Sequence, residues 1–364
     1  MGLIKRIQRH ISLSIQAASG GRRQPPPFLI LFINSVCNLK CGHCFYWGSL
    51  NKNDDLTFDE VIAFAREYGK FENLNLSGGE PFLRKELGEI CRFFITNNRV
   101  KQIYIPTNAY FTDKMQQQIE EILKEPALQL LVIEISLDGM AGYHNRLRGD
   151  MQSFEKAMES YKMLEALQKK DERLRIHSIS TVTSENADEI RELTNFLYQQ
   201  CPSMDHHNIA MVRGEKRNQT LQAPQLEVYC DLWKEVDILW KDREKGRFGS
   251  IVEPMLQWAK RKITTQRQQV IPCLAGILSA VVYANGDISF CEFRNPLGNL
   301  RKKGFFEIWH SPEAEQVRRD IKKKSCYCTN EVFLWPSIVF QPFQLMRAMI
   351  GSNIWKKYSR YTGP

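Results

Sequence analysis

Cys37, Cys41 and Cys44 follow the apolar run Phe28-Leu-Ile-Leu-Phe-Ile33 in a C-x3-C-x2-C spacing. Three thiolates are one fewer than normally hold a cubane of four irons. The iron left without a protein ligand keeps open positions, where a small molecule can be bound and its electronics changed. That arrangement suits chemistry and not electron storage. Zinc is the competing reading, because Cys41-x-x-Cys44 is half of a zinc site and His43 is a candidate further ligand.

Further polar residues fall where strands should end. Gly78 and Gly79 remove side chains where a ligand must approach backbone, and Glu80 supplies an anion for an ammonium group. A plain Gly-Gly turn is the alternative. Asn108 and Ser136 sit at the ends of apolar strands, a place at the mouth of a parallel barrel where polar residues serve binding, although either could be an ordinary loop former. Arg148 is a candidate partner for a ligand carboxylate, or a solvated surface arginine.

Cys37-Asn-Leu-Lys-Cys41-Gly-His-Cys44-Phe-Tyr46 resembles the signature of the radical S-adenosylmethionine (SAM) superfamily, in which an aromatic residue follows the third cysteine. Leu76-Ser-Gly78-Gly79-Glu80-Pro81-Phe82 resembles the family's Gly-Gly-Glu-Pro strand end, which receives the amino group of SAM. Ile105-Pro-Thr-Asn108 resembles its Thr-Asn-Gly element, with Ala109 where glycine is usual. Ser136-Leu-Asp138-Gly and His144-Asn-Arg-Leu-Arg148 resemble its Ser-Leu-Asp-Gly and His-Asp-x-x-Arg elements, with Asn145 replacing the aspartate.

The resemblance implies a [4Fe-4S] cluster on Cys37, Cys41 and Cys44 that binds SAM. It implies contacts to SAM from Tyr46, Gly78, Gly79, Glu80, Pro81, Asn108, Ser136 and Arg148. One-electron reduction, from a donor such as flavodoxin or ferredoxin, would cleave SAM to methionine and a 5'-deoxyadenosyl radical that abstracts hydrogen from a substrate.

Cysteines return near the C-terminus. Cys273 precedes the hairpin Val281-Val-Tyr-Ala-Asn285-Gly286-Asp-Ile-Ser-Phe-Cys291, where Asn-Gly predicts a two-residue turn. Cys326-Tyr-Cys328 follows a helix-like segment over 312–322. These four cysteines make a complete ligand set for a second cluster, or for a structural zinc. The segment resembles the SPASM or twitch auxiliary-cluster modules of radical SAM enzymes, and so does Gly298 to Glu313 between the cysteines. Cys-x-Cys departs from the modules' common Cys-x-x-Cys. An auxiliary [4Fe-4S] cluster there would accept an electron from the substrate radical, or bind substrate if one thiolate is absent. Cys91, Cys201 and Cys230 read as packed thiols.

These residues need a scaffold, and the chain has the material for one. Its 364 residues, 43% hydrophobic and 25% charged, can bury a large core. Strand-like runs near 28–35, 71–77, 99–106, 129–137, 174–183 and 207–212 alternate with helical segments. The first helix opens on a Thr57-x-x-Glu60 capping box, and others suit 84–97, 112–125, 152–169 and 186–200. Six β/α repeats predict an α/β fold with a parallel sheet. The resemblance makes it a partial (β/α)6 TIM-type barrel over 25–212. Linker and buttressing helices over 213–265 and a small auxiliary domain over 266–332, a β-hairpin plus helix, complete the organisation.

Ten cysteines without a secretory signal argue for a reducing, cytoplasmic compartment. No apolar stretch reaches the length of a membrane span. Lys5, Arg6, Arg9, Arg22 and Arg23 in tail 1–24, with Arg347, Lys356, Lys357 and Arg360 in tail 333–364, account for the whole net charge of +9, and neither tail holds an acid. Leu3, Ile4, Ile7 and Ile11 accompany the first group at helical spacing. Phe343, Met346, Met349, Ile350 and Trp355 accompany the second. Such basic amphipathic ends suit peripheral contact with an anionic membrane surface, or docking on the barrel with their charges solvated. The body lacks the basic patch with interleaved aromatics of a nucleic-acid site, and no nucleic-acid partner is expected. The substrate is a small molecule, such as a lipid-linked one, or a peptide. A non-catalytic two-cluster electron relay is the reading from another class; it would need no SAM pocket.

Overall fold

The computed structural model describes residues 3–21, 24–244 and 248–353. Helix α1 (Leu3–Ser19) precedes six β/α repeats. They run β1 (Phe28–Phe32), α2 (Phe58–Tyr68), β2 (Asn73–Ser77), α3 (Leu87–Asn98), β3 (Gln102–Thr107), α4 (Thr112–Leu123), β4 (Leu130–Ser136), α5 (Ala141–Arg148), α6 (Ser153–Gln168), β5 (Leu174–Val182), α7 (Ala187–Gln200) and β6 (His206–Met211). Two long helices follow, α8 (Leu226–Glu244) and α9 (Phe248–Gln266). The C-terminal part comprises β7 (Ser279–Val282), β8 (Asp287–Ser289), β9 (Gly298–Asn299), α10 (Phe305–Trp309), α11 (Pro312–Lys322), α12 (Glu331–Val339) and α13 (Pro342–Ser352).

Local chemistry explains the elements. Thr57 caps α2 through the expected box: its hydroxyl accepts from Glu60 N while Glu60 accepts from Thr57 N. The strands alternate. On β5 Leu174, Ile176, Ser178, Ser180 and Val182 are buried toward the helices, while Arg175, His177, Ile179 and Thr181 turn to the inner side. The helices cover the outer face, where Leu74, Leu76, Ile103, Ile105, Ile133, Ile135 and Ile176 are almost completely buried.

Strands β1 to β6 are parallel neighbours in sequence order. The sheet does not close into a barrel. It continues instead past β1, where β7 pairs parallel through Phe28↔Ser279 to Leu31↔Val282, and then to antiparallel β8 and β9. The C-terminal hairpin β7–β8 therefore extends the same sheet beyond β1 and brings Cys291, just after β8, to that edge.

The hairpin turn differs from the expected two-residue form. Tyr283 N donates to Asp287 O at 2.8 Å and Gly286 N to Tyr283 O at 2.9 Å, so Ala284, Asn285 and Gly286 form a three-residue loop. Gly286 takes a φ of +88°, as the left-handed position of such a loop requires.

A second apolar cluster lies where β1 begins. Leu13 and Ala17 of α1, Phe28, residues of α9 and α12, and Ala348 of α13 are buried in it. Helices α1 and α13 thus both dock on the body. Arg22, Arg23, Trp355, Lys356, Lys357 and Arg360 lie outside the described residues. No helix among the described residues is long and apolar enough to cross a membrane.

Candidate functional site

The loop after β1 carries Cys37, Cys41 and Cys44 and is stitched to its surroundings through backbone. Gly79 N donates to Asn34 O at 3.0 Å and Glu80 N to Val36 O at 2.7 Å. Lys40 N and Gly42 N donate to Arg148 O and Leu147 O, and Arg217 N and Asn218 N donate to Cys44 O and Gly42 O. Cys37 N donates to the Asn51 side chain at 3.0 Å. The strand ends and the loop after β6 thus fix the three thiols from several directions.

This contact explains the glycine pair better than ligand approach does. A Cβ on Gly79 would lie 2.1 Å from Val36 O, and one on Gly78 would lie 2.4 Å from Asn34 O. The side chains are missing because the cysteine loop packs there.

Cys37, Cys41, Cys44, Tyr46, Gly78, Gly79, Glu80, Pro81, Asn108, Ser136 and Arg148 all line one cavity of about 290 Å³. Every residue expected around the first cluster is therefore brought together. Tyr46 packs on Phe32 with ring centroids 4.6 Å apart and stacks on Tyr283 of the hairpin. Pro81 opens a short 3-10 turn capped by Glu80. Glu80 is buried, and its carboxylate accepts from Thr107 Oγ1 at 2.7 Å, Asn108 N at 2.8 Å and Phe82 N at 3.2 Å. Burial raises its pKa against these donors. Its carboxylate ties β2 to β3, a positioning duty beyond the expected pairing with an ammonium group. Asn108 Nδ2 donates to Asn38 Oδ1 at 2.9 Å, linking β3 to the cysteine loop.

Arg148 is buried rather than solvated. Its Nε and Nη2 donate to Asp138 Oδ2, and Nη1 points at Cys41 Sγ from 4.0 Å. Burial opposes the Asp138 charge, but Arg148, His43 and His144 hold the carboxyl well below its usual range. His43 turns Nε2 toward Asp138 Oδ2 at 3.7 Å. Burial pushes the Cys37 thiol up to about 12 and Cys41 to about 11, and raises Cys44. Such thiols hold their protons until a soft metal displaces them.

Cys273, Cys291, Cys326 and Cys328 line a second cavity of about 70 Å³. Burial pushes Cys273 and Cys291 up to about 12 and raises Cys328. All ten cysteines are free of disulfides. Among the described residues no three His, Cys, Asp or Glu side chains stand close enough to hold one metal ion. A three-thiol and a four-thiol set, each around its own cavity, fit the two groups expected from the sequence.

The structure adds residues that the sequence did not single out. Glu292 and Val332, from the C-terminal part, line the larger cavity beside Arg213. Glu292 accepts from Asn330 Nδ2 at 2.7 Å and pairs with Arg213 at 3.4 Å, and Arg213 lies over the Phe45 ring. Position gives a signal for Glu292, since it is the neighbour of Cys291. The inner wall carries polar groups among apolar ones: Asn75, Tyr104, Glu134 and Thr181 line the same cavity. Glu134, His177 and His206 fall in register across β4, β5 and β6.

Residues 31–197 match the model of the radical SAM superfamily, and residues 273–330 match that of an iron-sulfur cluster-binding domain, SPASM. The chain carries a radical SAM domain. This radical SAM protein is 27% identical over 323 residues to the AdoMet-dependent heme synthase of Methanosarcina barkeri, across 83% of the chain and 87% of the relative. Its fold is similar to that of anSMEcpe with bound AdoMet, with a TM-score of 0.59 and 16% identity over 90% of this chain and 98% of that one. It is also similar to Streptococcus suis SuiB bound to its precursor peptide SuiA, with a TM-score of 0.58 and 17% identity over 86% and 71% of the respective chains. The radical SAM protein is thus an enzyme whose cofactors are SAM, a [4Fe-4S] cluster that binds it, and auxiliary iron-sulfur at the SPASM domain.

Proposed function

We propose that Cys37, Cys41 and Cys44 hold the SAM-binding cluster, that Cys273, Cys291, Cys326 and Cys328 hold the auxiliary one, and that substrate is oxidised in the cavity between them. The observation that carries this reading is the shared wall. Residues expected around SAM line one cavity with Glu292, the neighbour of Cys291, and Val332, four residues past Cys328. When bound, SAM on its cluster supplies a 5'-deoxyadenosyl radical able to abstract hydrogen, and the auxiliary cluster supplies an acceptor for one electron.

The chain's own residues provide position and polarity. Glu80, held by Thr107 and Asn108, keeps two strand ends together under the cysteine loop. Arg148 places a buried positive charge beside Cys41. Phe45, Tyr46 and Val332 present apolar surface that excludes water, whereas Asn75, Tyr104, Glu134 and Thr181 offer hydrogen-bonding groups to a polar substrate. A flavodoxin or ferredoxin is the kind of reductant this chemistry requires.

Two substrate classes have support. The likeness across most of the chain to a protein named as a heme synthase supports a small molecule. The fold shared with SuiB bound to a precursor peptide supports a peptide-modifying maturase. Anaerobically reconstituted protein given dithionite and SAM should release 5'-deoxyadenosine, and the Cys41→Ala variant should release none. Absence of product from the parent protein would favour the non-catalytic electron relay.

A further inference from the structure

Helix α1 is apolar on two sides. Ile4, Ile7, Ile11 and Ile15 are 71%, 50%, 51% and 62% exposed, while Leu13 and Ala17 are buried against the body. At 3.6 residues per turn the four isoleucines fall within an arc of about 80°, centred about 140° from the buried pair. A helix that only docks has no use for that outer row. Helix α13 repeats the pattern: Ala348 is buried, and Phe343, Met346 and Ile350 are 68%, 55% and 63% exposed. Of the thirteen large apolar side chains exposed among the described residues, seven lie on these two helices. The helices share one apolar cluster, and the His10 ring of α1 lies 5.4 Å from Phe340 at the start of the α12–α13 bend.

We infer that α1 and α13 form a docking face for an anionic lipid surface. The charge pattern selects this occupant. Residues 1–24 and 333–364 hold nine Lys and Arg and no acid, which is the chain's entire net charge. Exposed aliphatic rows in segments rich in Lys and Arg are the pattern of helices that lie in a membrane interface, and Arg9 and Arg347 themselves reach back to Glu72 and the Val270 carbonyl. Protein hot spots instead concentrate Trp, Tyr and Arg in a well-packed centre, and the isoleucine row of α1 is a ridge. The face lies where β1 begins, at Phe28, whereas Cys37 follows the other end of that strand. Bound this way, the enzyme keeps its cysteine loop at the strand ends remote from the lipid. The inference is independent of the reaction catalysed.

Full-length protein should co-sediment with phosphatidylcholine vesicles containing phosphatidylglycerol, but not with phosphatidylcholine alone, and should be released by high salt. Ile7→Ser/Ile11→Ser should lower the partition coefficient at least roughly tenfold through lost apolar burial. Its thermal unfolding should be little changed, because both side chains are half exposed and lie outside the apolar cluster. Equal partitioning of parent and variant would overturn the inference. So would failure of the parent to bind anionic vesicles, or a parent dimer in solution that the double substitution dissociates, which would assign the face to a second copy.

Discussion

Arg148 holds Asp138 through two nitrogens, Nε at 2.9 Å and Nη2 at 2.6 Å, and this grip aims its remaining nitrogen at the Cys41 sulfur. Both side chains are buried. Removing one partner strands the other's charge, so Asp138→Ala should cost about 3–5 kcal/mol in denaturant unfolding. The cation beside a thiolate should also stabilise the reduced, more negative cluster. Arg148→Met should therefore shift that cluster to a more negative potential in an EPR-monitored redox titration. Unchanged potentials would remove Arg148 from any role at the cluster.

Gly79 has no room for a methyl group, since a Cβ added there would meet Val36 O at 2.1 Å. Gly79→Ala must push the Ser35-Val36 backbone away and with it Cys37. Overpacking of this kind costs about 1–3 kcal/mol, and iron content after reconstitution should fall with it. Gly48 meets nothing within 4 Å. Gly48→Ala should leave both stability and iron unchanged, which separates the clash from a general sensitivity of glycines.

Glu134 lines the cavity with its side chain 23% exposed, and burial lifts its pKa from 4.5 to about 7, with Glu331 adding to the rise and His206 opposing it. The folded chain keeps this proton between about pH 4.5 and pH 7 while the unfolded chain releases it. Stability from this group therefore falls as pH rises through that window, and levels off above it. Glu134→Gln lacks the effect. Its stability relative to the parent should grow by up to roughly 3 kcal/mol between pH 4.5 and pH 8, read from urea unfolding at each pH. A constant difference would show that Glu134 ionises normally.

Much of this was legible because it is local. The C-x3-C-x2-C loop, the Gly-Gly-Glu-Pro strand end and the alternating strands each express a short-range rule, and the cavity gathers every residue expected from them. What was not legible depends on distant pairing. No local pattern in Ser279–Val282 says that it will pair parallel with β1. The Asp138–Arg148 pair crosses from a strand end to the end of α5, so spacing alone left Arg148 free for a ligand. The polar inner row Glu134, His177 and His206 is hidden in runs that read as apolar strands, because register across β4, β5 and β6 assembles it. Asn285-Gly286 marked the turn, but Tyr283–Asp287 pairing set its length.

Two separate thiol sets should behave separately. Iron counting after anaerobic reconstitution should give about eight irons per chain, and about four after removing either set by alanine substitution. Four irons in the intact chain would leave one of the two sets without a cubane.

The proposed chemistry requires that the cluster on Cys37, Cys41 and Cys44 have an iron open to SAM. EPR of the dithionite-reduced protein, recorded with and without SAM, tests it most directly, using a variant in which Cys273, Cys291, Cys326 and Cys328 are replaced by alanine so that one cluster remains. The expected result is a reduced-cluster signal whose g-values shift when SAM is added. A signal that SAM leaves unchanged would contradict it.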